Sequence, residues 1–167
     1  GLMQPITYAQ THHDKFLDEL KAFLRIPSIS TQAEHKADIE RAATWLRDAL
    51  LDVGFPRAEV MPTTGHPIVY AEWLAAGPYA PTVLIYGHYD VQPPDPLEQW
   101  RTPPFEPTVV GDDLFARGAS DDKGQVFVHL KAAEAFKATV GAPPVNLKCI
   151  FEGEEEIGSP SFNPFVF

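Results

Sequence analysis

A chain of 167 residues with 13 basic and 23 acidic side chains carries a formal charge of −10 at neutral pH. That balance argues against a nucleic acid or an anionic membrane as partner and favours cations. The single cysteine, Cys149, excludes an internal disulfide framework, the N-terminal stretch lacks the basic start and apolar core of a secretory leader, and no apolar run approaches the ~20 residues of a membrane span, so a one-domain cytoplasmic protein is expected.

In chain order, the first helix is predicted over residues 13–26, where Phe16, Leu17, Leu20, Phe23 and Leu24 recur at helical spacing until Pro27 stops the run. A second helix follows "STQAEHKAD", with Ile39, Ala43, Leu46, Leu50 and Val53 on one stripe and Gly54 just past its end. "AEVM", "IVYAEWL" and "TVLIY" then read as strands separated by Pro and Gly. "QPPDPLEQWRTPPFEP" is too rich in proline for a central strand and reads as an ordered surface loop. "LFARGASDDKG" leads from a short strand through a turn into a third helix carrying Val126, Leu130 and Ala133 on one side. "NLKCIFEGEEEIGS" is a last buried strand that ends in acid. Helices interleaved with apolar strands predict an α/β fold with a mixed, mostly parallel sheet flanked by helices on both faces.

Three polar clusters each follow a strand end, the place where ligands bind in open α/β sheets. In "GHYD", residues 88 and 90 share a side if the strand persists, so Asp90 can reach the His88 ring and fix its tautomer. The alternative, favoured for an isolated H-x-D, is a His–Asp pair that satisfies itself at a strand end. In "GASDDKG", adjacent side chains diverge, so one aspartate, Asp121, enters a shared site and Asp122 takes a backbone or surface role. Capping of the following helix is the alternative for either aspartate. In "FEGEEEIGS", Glu152, Glu154, Glu155 and Glu156 lie within five positions and raise one another's pKa unless a cation or solvent compensates; the alternative is a solvated acidic turn.

One imidazole with several carboxylates is a nitrogen/oxygen donor set suited to zinc, with manganese or cobalt as substitutes. No G-K-[ST] follows a glycine loop and no G-x-S-x-G is present, which argues against phosphate-loop and serine-hydrolase chemistry. Cys149 sits inside an apolar strand and reads as a core residue.

Taken in order, "YGHYDVQP", the tryptophan and "PPFEP", "LFARGASDDKG" and "EGEEEIGS" resemble the zinc metallopeptidase family that includes carnosine dipeptidases, aminoacylase, carboxypeptidase G and succinyl-diaminopimelate desuccinylase. The likeness runs from about Thr82 to Ser159, and "DVQP" with the "EQW…PPFEP" loop is most similar to the dipeptidase branch. The resemblance implies a zinc-exopeptidase-like catalytic domain and two zinc ions, with His88 a ligand of one, Asp121 bridging both and Glu156 a further ligand. It implies that Asp90 orients His88, that Glu155 is the general base, and that the Asp121–Asp122 peptide is cis. The expected substrate is a small peptide or related amide, and the full-length protein is expected to be a homodimer. Relatives carry a further metal-binding aspartate, a histidine and a dimerisation domain beyond the stretch that matches. Residues 1–167 are therefore expected to be a truncated, N-terminal portion of such a domain; a catalytically inactive metal-binding or structural α/β fragment is the competing expectation.

Overall fold

The computed structural model describes residues 3–167; Gly1 and Leu2 lie outside them. Helix α1 (Pro5–Thr11) starts with a proline in its first turn, and α2 (His13–Leu24) follows at once, burying Phe23 and Leu24. Helix α3 (Lys36–Val53) buries Ile39, Ala43, Leu46, Leu50 and Val53 as the stripe predicts, and Gly54 closes it at φ 117°, in the left-handed region. Strands β1 (Arg57–Met61), β2 (Ile68–Trp73) and β3 (Thr82–His88) come next. A short hairpin, β4 (Thr108–Val110) and β5 (Asp113–Phe115), precedes α4 (Lys123–Val140), β6 (Asn146–Glu152) and a terminal helix α5 (Phe162–Val166). Among the described residues, no helix is long and apolar enough to cross a membrane.

The sheet has the order β1-β2-β6-β3 and is mixed, but the expectation of mostly parallel pairing is corrected. Only β3 and β6 run parallel, joined through α4; β1–β2 and β2–β6 are antiparallel. The loop of residues 62–67 is too short for a crossover, so β1 and β2 can only fold back on each other. The apolar runs report burial, and burial does not encode strand direction.

Helices flank the sheet as expected, but they cover its two faces unequally. Val69, Ala71 and Trp73 of β2 face Phe151, Cys149 and Leu147 of β6, and this side packs with α2, α3 and α4 into the main core. Cys149 is fully buried there, and burial pushes its thiol up to about 12. On the other side, Leu84 and Tyr86 of β3 are 62% and 47% exposed. Among the described residues, Phe162 of α5 is the aromatic partner of Tyr86, its ring edge-on at 5.4 Å.

Candidate metal centre

The chain beyond β3 stays in register with its surroundings. Tyr89 N donates to Glu152 O (2.9 Å), Val91 N to Ser28 O (2.9 Å), and Ser28 Oγ to Tyr89 O (2.7 Å). The "HYDV" segment is thus pinned between the end of β6 and the segment that follows α2. His88 and Asp90 are both buried, and His88 Nδ1 lies 3.2 Å from Asp90 Oδ1 and 3.0 Å from Asp90 O. Burial disfavours a charged ring, yet the hydrogen bond and charge of Asp90 outweigh it and push His88 up to about 9.

Asp90 does more than its spacing reveals. Its carboxylate also accepts from the Glu155 amide (3.2 Å) and the Glu156 amide (3.0 Å), at the start of the 3-10 turn Glu155–Ile157. One wholly buried carboxylate therefore orients the imidazole and aims two glutamates, 65 and 66 residues later in the chain. Nothing in the local sequence carries that long-range signal.

On the opposite side, the Asp121–Asp122 peptide is cis. Asp121 Oδ1 lies 3.0 Å from His88 Nε2. Asp122 does not cap α4 with its side chain; its Oδ2 accepts from the His88 amide (3.1 Å), the backbone role expected of whichever aspartate left the site. Lys123 is wholly buried, with Nζ donating to Phe23 O (3.0 Å) and Ile26 O (2.7 Å) and lying 4.9 Å from the centre of the Phe23 ring. No local sequence signal marks this lysine. It fastens the aspartate turn to the end of α2, and burial lowers its ammonium to about 7.

The four glutamates divide. Glu155 Oε2 lies 3.8 Å from His88 Nε2, and ligand atoms of His88, Glu155 and Glu156 all fall within 4.8 Å of one another. Burial raises the Glu156 carboxyl; the hydrogen bond from Gln92 Nε2 (2.9 Å) opposes this, and the charges of Asp121 and Glu155 add to it. Glu152 and Glu154 are buried instead. Glu154 turns away to accept from His66 N (2.7 Å), Ser161 N (3.0 Å) and Ser161 Oγ (3.0 Å), so it is a latch between loops. Glu152 accepts from Ser159 Oγ, and its other oxygen is buried without a partner. No periodicity in the sequence separates Glu152 and Glu154 from the pair that follows, since β6 ends at Glu152 and residues 151–154 are all buried.

His88, Asp121, Glu155 and Glu156 thus come together at the carboxyl ends of β3 and β6 and at the start of α4. His12, His13, His35, His66 and His129 do not join them: His66 Nε2 meets Ser30 O (3.1 Å), His35 pairs with Asp38 (2.8 Å), and His129 is exposed on α4. The motif-bearing half of the chain, residues 84–166, matches the profile of peptidase family M20/M25/M40. The chain belongs to this family. It is 35% identical over 173 residues to the Beta-Ala-His dipeptidase of Rattus norvegicus, covering 95% of this chain and 35% of the relative. A Cys-Gly metallodipeptidase of Candida albicans is 34% identical over 168 residues, covering 91% of this chain and 34% of the relative. The crystal structure of human carnosine dipeptidase 1 superposes with a TM-score of 0.89 at 34% identity, over 97% of this chain and 36% of that one. The M20 chain therefore spans about a third of the length of the curated relatives it matches.

Proposed function

We propose that the protein represented by this chain hydrolyses the amide bond of a small, dipeptide-like substrate at a divalent-metal centre held by His88, Asp121 and Glu156. The observation that carries this reading is the meeting of one oriented imidazole with three outward carboxylates at strand ends. The donor set fits such an ion: His88 Nδ1 is occupied by Asp90, leaving Nε2 toward Asp121 and Glu155. Two relatives that act on Beta-Ala-His and Cys-Gly dipeptides by name support the substrate class.

His88, Asp121 and Glu156 would hold zinc, which when bound would supply activation of a water and polarisation of the substrate carbonyl. The chain's own groups do the rest. Asp90 holds the His88 ring in one tautomer and directs the amides of residues 155 and 156. Glu155, exposed and 3.8 Å from His88 Nε2, takes a proton from the attacking water and returns it to the leaving amine. Glu156 remains a ligand, positioned by Gln92.

Residues 1–167 on this reading are one portion of a larger catalytic domain, in keeping with the third of the relatives' length that they span. The chain by itself binds metal and does not turn over dipeptide. Calorimetric zinc titration with proton-release measurement, run beside a dipeptide assay on this chain and on a form as long as the relatives, tests both statements. Zinc binding that releases protons near pH 7 and is lost in His88→Ala is the expected result. Metal-free protein in both forms would overturn the centre, and full turnover by residues 1–167 would overturn the division.

A further inference from the structure

A cavity lies on the loop that leaves Asp90, lined by residues other than those of the candidate metal centre. Residues 92–107 and the β4–β5 hairpin enclose a cavity of about 500 Å³, and none of His88, Asp121, Glu155 or Glu156 lines it. Its walls include Trp100, Val110 and Phe115, the last two 56% and 45% exposed. Two guanidinium groups, Arg101 and Arg117, line the same space with one acid, Asp95.

Arg117 is the unusual member. Its guanidinium lies 5.1 Å from the centre of the Trp100 ring, and the indole is itself fixed by Nε1 donating to Pro94 O (2.9 Å). Nη2 donates to Pro93 O (3.2 Å), while Nε is buried without a partner. A guanidinium has five N–H donors, and among the described residues this one makes a single side-chain hydrogen bond. Arg41, Arg47 and Arg57 each pair with a carboxylate, whereas Arg25, Arg101 and Arg117 have none within 4.0 Å among the described residues, and of these three only Arg101 and Arg117 line the cavity. On a chain of charge −10, two unpaired cations beside exposed apolar walls make a local positive site that awaits an acceptor.

The geometry points to a binding site for a carboxylate carried on an aromatic or branched apolar body: the carboxylate meets Arg117 and Arg101, and the body rests on Val110 and Phe115. The planar forks of the two arginines match a carboxylate better than a neutral amide, and the apolar walls separate such a ligand from a simple oxyanion. This site is independent of the peptidase reading.

Phenylacetate is the probe, titrated calorimetrically into the full 167-residue chain in chelator-treated buffer, so that binding to a metal is not counted. The Trp100 indole N–H is followed by NMR and assigned with Trp100→Phe. The expected result is one site per chain, a shift of the Trp100 resonance, affinity about tenfold lower in the exposed-side-chain variant Arg101→Ala, and loss of binding in Arg117→Gln. Phenylacetamide, the neutral isostere, and inorganic phosphate are both expected to bind at least about tenfold more weakly. Circular dichroism checks that Arg117→Gln folds, and Arg101→Ala tests the site regardless of that result. No binding, an unmoved Trp100 resonance, unchanged affinity in Arg101→Ala, or parity of phenylacetate with phenylacetamide or phosphate would each overturn the assignment.

Discussion

His88 and Asp90 on one side of the candidate centre, and Asp121, Glu155 and Glu156 on the other, are held by different means. The first pair is buried, with side chains 7% and 0% exposed, and every contact it makes is supplied by the protein. Asp121 and Glu155 are 71% and 43% exposed, and both bring like charge to bear on Glu156. The buried half is a finished hydrogen-bond network. The exposed half is a set of carboxylates whose repulsion a cation would relieve, so the proposed function places stability in the first half and chemistry in the second.

The largest separation of the two halves is expected from Glu155→Gln. In a protein as long as the relatives, dipeptide turnover should fall by about 10²–10⁴ with zinc retained, while the melting stability of residues 1–167 shifts by less than about 0.5 kcal/mol. Retained turnover would remove Glu155 from proton transfer, and loss of zinc would exchange its role with that of Glu156.

Asp90→Ala attacks the other half. Removing a buried carboxylate that serves His88 and two amides should cost about 3–5 kcal/mol in denaturant unfolding. It should also change the pH dependence. Because His88 is raised from 6.5 to about 9 in the folded protein, its stabilisation is complete below about pH 6.5 and is lost as pH rises through 9. Lys123, lowered from 10.5 to about 7, has the opposite slope, adding stability as pH climbs from 7 toward 10.5. The Asp90 charge holds the Lys123 ammonium up, so removing it lowers that group further, a cost the variant bears at low pH and sheds as pH rises; with His88 acting in the same direction, the difference between the two stability curves should shrink with rising pH. A difference that stays flat from pH 6 to 10 would refute the pairing energetics.

A smaller effect is expected just beneath the centre. An added methyl at Gly153 would lie 2.6 Å from Tyr89 Cζ, whose hydroxyl is already bonded to Pro67 O (2.5 Å). Gly153→Ala should cost about 1–3 kcal/mol by overpacking, measured as a lowered denaturation midpoint with an unchanged slope. The smallest change is reserved for Asp121→Asn. Its stability should match the parent within about 0.5 kcal/mol, while zinc affinity drops. A stability loss as large as that of Asp90→Ala would erase the contrast between the halves.

Much of this was legible in the sequence where the signal is local. A two-residue spacing after an apolar run brings Asp90 to His88, and a stripe from Ile39 to Val53 specifies α3 and its glycine stop. Motif order singled out Asp121, Glu155 and Glu156, which the fold brings to one place. What could not be read is what depends on distant partners. Lys123 reaches carbonyls 97 and 100 residues earlier, and Glu154 bonds His66, 88 positions away. The direction of β2 and the exposure of Leu84 and Tyr86 follow from loop length and layer arrangement, to which a hydrophobic run is blind.

The Asp121–Asp122–Lys123 turn has a consequence for how such a chain can drift over generations. Three successive side chains reach three separate targets: the His88 ring, the His88 amide and the carbonyls closing α2. Loops ordinarily absorb insertions and deletions, but a single added or lost residue here would displace all three at once, and no neighbour could stand in for any of them. The turn should therefore behave under random mutagenesis like the hydrophobic interior, intolerant of length change and of substitution, although Asp121 itself lies open to water.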